Sequence, residues 1–122
     1  MNKTETQVDA FLPLTSVSFE ILLALANKQD CHGYSILQRV RQRSQSSLHP
    51  GTLYRAISRL MEQGLIEELL ERPAAEMDDQ RRRYYRMTPL GKRVARAEAS
   101  RLAAQVTAAH ELRLLEKLEP GE

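Results

Sequence analysis

Thr52, Tyr54, Arg55, Ser58 and Arg59 stand at helical spacing within the run HPGTLYRAISRLMEQG, His49 to Gly64. Hydroxyls and guanidinium groups sharing one helical face suit an anionic ligand rich in hydrogen-bond acceptors. An arginine fork fits a phosphate or the edge of a guanine, and hydroxyls donate to phosphate oxygens. A second group precedes this one. Gly33, Tyr34 and Ser35 would open another helix, whose free N–H groups and tyrosine hydroxyl can also meet a phosphate. From Cys31 to Met61 there is no Asp or Glu, while Arg39, Arg41, Arg43, Arg55 and Arg59 all fall there. The chemistry implied is polyanion binding, and double-stranded DNA is the polyanion whose major groove admits a helix.

The element that must position the first group is a short amphipathic helix. Pro50 fits the first turn, where its missing N–H costs nothing, and Gly51 follows it. Gly64 fits the left-handed residue that closes a helix. Leu53, Ala56, Ile57, Leu60 and Met61 recur at i, i+3, i+4, i+7 and i+8, one apolar stripe for a core. The second group opens a helix from Gly33 to about Arg43, with Tyr34, Ile36, Leu37 and Val40 apolar and Arg39, Arg41 and Arg43 expected to face out. The polar run QRSQSSL joins the two. Two helices with a short polar turn, the second ending in Gly, make a helix-turn-helix.

Charge is polarised, although the net charge is only +2. Glu62 to Asp79 holds seven acids against Arg72 alone, and Arg81 to Arg101 holds eight Lys or Arg against Glu98. Two basic blocks around an acidic one can steer a polyanion.

The rest of the chain supplies a frame. Met1 to Ala10 lacks periodicity and is expected as a loose arm, with Phe11, Leu12 and Leu14 as its anchor. A first helix over about Ser16 to Asn27 would bury Phe19, Leu22, Leu23 and Ala26, with Ile21 and Leu25 widening the stripe. A very short strand near Cys31 would come next. Leu65 to Arg72 suits a helix or a strand; Gly64 before it and Pro73 after it favour a strand. Arg81 to Thr88 is a second strand, with arginines on its solvent side, and the two form a β-hairpin wing. Thr88 caps a last helix with Pro89 at its first position, running to about Leu118. Its stripe of Ala95, Ala99, Leu102, Val106, Ala109 and Leu112 is longer than a small head can cover. A second copy across a two-fold axis is the expected partner.

The fold class read from these elements is mainly α with a small β-hairpin. Residues 1–13 form a flexible arm, 14–88 a winged helix-turn-helix, and 89–118 a long dimerisation helix. At 122 residues with 5% aromatics and no Trp, the core must be aliphatic. A single cysteine forms no internal disulfide and suits a reducing cytoplasm. No signal peptide or membrane span is expected. Cys31 beside His32 is a redox or metal half-site or, more commonly, a small buried hydrophobe with a histidine bonded inside its own turn. His49 and His110 are too scattered for metal-ligand spacing, so no metal or cofactor is expected. No Gly-rich phosphate loop or Ser, His and acid constellation is present, and the acids cluster in a tip, so catalysis is not expected. A winged helix that contacts protein instead of DNA is the competing class; such modules lose a basic recognition face, which this chain keeps.

With the elements placed, the sequence resembles the PadR family of bacterial transcriptional regulators, in its smaller subgroup with a single C-terminal helix. The matching runs are LTSVSFEILLAL, HGYSILQRV, PGTLYRAISRLMEQGLIEE and RRRYYRMTPLGKRV, in the family's order and spacing, spanning Leu14 to Val106. The resemblance implies a homodimer binding an inverted-repeat operator, usually as a repressor. It points to Tyr34, to Pro50, Gly51, Thr52, Tyr54 and Arg55, and to the wing arginines. The wing tip here is acidic (Glu76, Asp78, Asp79), so wing contacts would come from Arg81 or Arg82. Some members stack planar aromatic ligands on a Trp of the last helix. This chain has no Trp and no aromatic residue after Tyr85, so that pocket is not expected, and any small-molecule inducer is of a kind the sequence does not name.

Overall fold

In the computed structural model of the chain, residues 7–26, 31–44, 47–69 and 83–116 are described. The elements are α1 (Ser16–Ala26), β1 (Cys31–His32), α2 (Gly33–Ser44), α3 (Pro50–Glu62), β2 (Ile66–Glu68), β3 (Tyr84–Met87) and α4 (Pro89–Glu111). α1 lies at the centre and touches α2, α3, α4 and β3. The aliphatic core gathers Ile21, Leu22, Ile36, Leu53, Ile57, Leu60, Leu65 and Val94, all buried.

Local chemistry explains the element ends. The Thr15 hydroxyl accepts the Ser18 N–H and caps α1 (3.1 Å). α3 begins at Pro50 behind an unusual cap, His49, whose Nδ1 accepts the Gly51 N–H at 3.0 Å. Gly64, at φ +76°, ends the turn after α3. Thr88 joins α4 to that end. Its hydroxyl accepts from Gly91 N–H at 3.0 Å and donates to the Gly64 carbonyl at 2.6 Å. Gly91 must be glycine for a different reason: a Cβ there would lie 1.9 Å from the Leu65 carbonyl oxygen.

Four expectations are corrected. The sheet is three-stranded in the order β1-β3-β2, all antiparallel, because the short β1 pairs with the wing through Cys31↔Tyr85 and His32↔Tyr84. β3 is therefore central, and Tyr84 and Tyr85 are both buried. The buried face of α1 is rotated from the expected stripe. Ser18, Ile21, Leu22, Ala24 and Leu25 are buried, while Phe19 and Leu23 are half-buried and Ala26 is exposed. Surrounded on several sides, α1 buries the residues that face its neighbours, a choice periodicity cannot make. Within the arm drawn over residues 1–13, residues 7–9 are helical, Val8 is buried, and Phe11 and Leu12 rest on the core. Last, α4 stops at Glu111 instead of about Leu118. Arg113 takes a left-handed φ of 61°, and the Leu114 N–H bonds back to the Ala109 carbonyl at 2.8 Å.

Candidate nucleic-acid interface

The buried side of α3 is its apolar stripe, Leu53, Ile57 and Leu60. This leaves Pro50, Tyr54, Arg55, Ser58 and Arg59 exposed, with Gly51 and Thr52 half-covered. Arg55 leans back along the helix, its Nη2 3.4 Å from the Thr52 hydroxyl. Gly51, Tyr54, Arg55, Ser58 and Arg59 border one shallow depression on this face, with Glu62 at its far end. No acid occupies the first turn.

A deeper cleft of about 500 Å³ opens where α3, the start of α2 and the wing meet. Tyr34, 58% exposed, enters it from α2, Tyr54 and Ser58 from α3, and Arg83 and Tyr85 from the wing. Gly33 is buried beneath the Tyr54 ring: a Cβ there would meet the ring and hydroxyl at 2.6 Å. Its part is to leave room for the Tyr54 ring against the start of α2. Ser35 is committed to the turn that opens α2. Its hydroxyl donates to the His32 carbonyl at 2.8 Å and accepts the His32 N–H at 3.1 Å, while its own N–H reaches His32 Nδ1 at 3.3 Å. Tyr85 is held above its ordinary 10.0, first by burial and then by the Glu68 carboxylate, with Arg83 opposing. Its phenol therefore keeps its proton at neutral pH.

The structure thus brings Tyr34, Tyr54 and Ser58 into one cleft and sets Arg55 and Arg59 beside it. Arg81 and Arg82, with the acidic tip, lie outside the described residues. The sequence reading missed Arg83. Strand alternation is the signal that finds it, because residues two apart share a face and Tyr85 faces the cleft. Arg83 pairs with Glu68 at 3.5 Å, and Arg86 on β3 pairs with its register partner Glu67 on β2.

The arginines of α2 do not all face out as expected. Arg39 donates to the Ala24 carbonyl at 3.0 Å and approaches the Cys31 sulfur at 3.0 Å. Arg41 clamps the Leu48 carbonyl through Nε (3.0 Å) and Nη2 (2.6 Å), holding the turn that leads into α3. Arg43 pairs with Glu20 at 3.3 Å. Three of the five arginines in this basic block are therefore engaged within the head, and do not face out free. Cys31 is fully buried, and among the described residues no group of three His, Cys, Asp or Glu could hold a metal ion.

Residues 21–97, more than half of the chain, match the model of the transcriptional regulator PadR-like family. The chain belongs to the PadR-like family of transcriptional regulators. The fold agrees. A PadR family transcription regulator from hypervirulent Clostridium difficile R20291 is 28% identical, with a TM-score of 0.69 over 80% of this chain and 98% of that one. The PcaV transcriptional regulator of Streptomyces coelicolor, solved with its natural ligand, is 25% identical, with a TM-score of 0.65 over 90% of this chain and 70% of that one. A PadR-like regulator from Bacillus cereus ATCC 14579, at 16% identity, shares the fold alone (TM-score 0.66 over 91% of this chain and 99% of that one). No curated protein matches. Membership makes this PadR-like chain a DNA-binding regulator with a winged-helix fold, in a family of regulators, not of enzymes. No helix among the described residues is long and apolar enough to cross a membrane.

Proposed function

We propose that this PadR-like chain acts in the cytoplasm as a homodimeric repressor, each α3 entering the major groove of one half of an inverted-repeat operator. The observation that carries this reading is the convergence of α3, the start of α2 and the base of the wing on one face. Thr52, Tyr54, Arg55, Ser58 and Arg59 would contact bases and phosphates, and Tyr34 and Arg83 the flanking backbone. Arg81 and Arg82 would add wing contacts. Pro50 and Gly51 set the helix start close to the DNA. Gly33 and Ser35 act indirectly, by seating Tyr54 and fixing the first turn of α2.

Two surfaces support the dimer. Beyond Glu98, Val106 on α4 and Leu112 just past its end are exposed (40% and 71%). Nearer the head, Phe19, Leu22, Leu23, Met87, Ala95 and Ala99 line an apolar groove of about 390 Å³. Ala95, Ala99, Leu102, Val106 and Ala109 alternate spacings of four and three, the pattern of a helix–helix seam, and Leu112 extends it. The dimerisation unit is α4, and residues 14–88 are the DNA-binding unit. No inducer is assigned.

The test is selection of bound sequences from random duplex DNA by the purified protein at two salt concentrations. An enriched inverted repeat is expected, with affinity falling by ~0.9 log units per phosphate contact for each log unit of salt. Salt-sensitive binding with no enriched motif overturns the operator. Absence of binding at both salts overturns the whole reading in favour of a protein partner.

A further inference from the structure

Among the described residues, Glu98 is the charged side chain that is buried, at 1% exposure. Its Oε2 accepts the Leu14 N–H at 2.8 Å across 84 positions of sequence. Arg101, one turn further along α4, holds both carboxylate oxygens, reaching Oε2 at 3.2 Å. Leu14 immediately precedes Thr15, the cap of α1. One carboxylate therefore ties α4 to the entrance of the central helix.

The position along α4 matters as much as the bonds. Gly91, Val94 and Glu98 are its buried residues, and Glu98 is the last of them. Past it the helix leaves the head. A buried charge is costly to desolvate, and an apolar side chain of similar size would fill the space at lower cost. What the carboxylate adds is direction: two fixed donors, on two different segments, in one geometry.

We propose that Glu98 is a positioning residue, which with Arg101 and the Leu14 N–H fixes the angle at which α4 leaves the head and so sets the spacing of the two DNA half-sites. This rests on the dimer proposed above. From Glu98 to Glu111 the helix extends for about 20 Å. A 10° change at the joint would move its far end by about 3.5 Å, on the order of the 3.4 Å step between base pairs. Half-sites read by two α3 helices tolerate little such error.

The experiment uses the full chain and Glu98→Gln, with Arg101→Met as a second variant that leaves the carboxylate on Leu14. Each is tested on duplexes carrying the enriched repeat with its spacer changed one base pair at a time, and on a single half-site. Each is also spin-labelled at Gln63→Cys, an exposed position just after α3, for distances between the two heads. The wild type should prefer one spacer by about tenfold or more, the order of coupling between linked sites, with a narrow distance distribution. Both variants should still sediment as dimers and bind the half-site normally, while spacer preference flattens and the distribution broadens. A merely structural role would lower affinity for every spacer equally, and that result overturns the proposal. So does an unchanged spacer preference and distance width in both variants. A wild type with no inter-head distance overturns the dimer itself, a failure distinct from one seen only in the variants.

Discussion

The two halves of α4 belong to one unbroken helix and are treated oppositely. Before Glu98, successive turns deliver Gly91 under the Leu65 carbonyl and Val94 into the core. After it, Val106 and Leu112 stand in the open. Both halves carry an apolar stripe with helical period. Periodicity states which face seeks cover, while the partner that covers it is set elsewhere: by the chain's own head for the first half and, in the proposed dimer, by a second copy for the other. Unfolding and association should accordingly report on different halves of the same helix.

The largest effect is expected where the helix meets its own head. Gly91→Val should destabilise the fold by about 3 kcal/mol, since the new Cβ must displace the Leu65 backbone. Ala103→Val, on the exposed half, should stay within about 0.5 kcal/mol. Urea unfolding of both variants checks this, and equal losses would erase the contrast between the halves. Next comes Leu102→Asp. It should leave the head folded yet give a monomer in sedimentation and cut operator affinity by about a hundredfold through lost avidity. A Leu102→Asp protein that sediments as a dimer refutes the proposed seam.

The comparison extends to the other open surface, the outward face of α3. Arg55→Ala should lower operator affinity by about 10–100-fold if the guanidinium reads a base. It should leave dimerisation and unfolding unchanged, which separates it from both halves of α4. Fluorescence anisotropy with the selected operator measures the loss, and unchanged affinity removes Arg55 from the interface.

The order of helices, the cap at Thr88, Gly64 and the exposed face of α3 were legible in the sequence because each depends on neighbours within a few residues. What was not legible depends on distant backbone. Arg39 and Arg41 look like solvated cations until the Ala24 and Leu48 carbonyls are placed beside them. The rotation of α1 follows from being surrounded, and a nearly continuous apolar run does not choose its own face. β1 is two residues long and gains its identity only by pairing with β3. In the candidate interface, Tyr34, Tyr54 and Arg55 could be named from type and spacing. The structural duties of Gly33 and Ser35 emerged only with Tyr54 and His32 in position.

Glu98 shows the same limit most sharply: Arg101 three residues on is a visible partner, but the Leu14 N–H that donates to the carboxylate lies 84 positions away. It also yields the smallest predicted effect. Hydrogen bonds from Arg101 and from the Leu14 N–H outweigh burial and hold its carboxyl below the ordinary 4.5. A group with a lowered folded value binds its proton more readily when unfolded. It therefore stabilises the fold above about pH 4.5, and this contribution drains away as pH falls through the lower folded value. In Glu98→Gln the contribution is missing at every pH. The stability gap between wild type and Glu98→Gln should be full at pH 7, constant down to about pH 5, and narrowing below 4.5. Urea unfolding at pH 7, 5, 4 and 3 measures it. A gap of constant size down to pH 3 would mean that the loss in Glu98→Gln comes from an amide NH2 set against the donors of Arg101 and Leu14, and that the charge at the joint between the two halves of α4 contributes nothing to holding them.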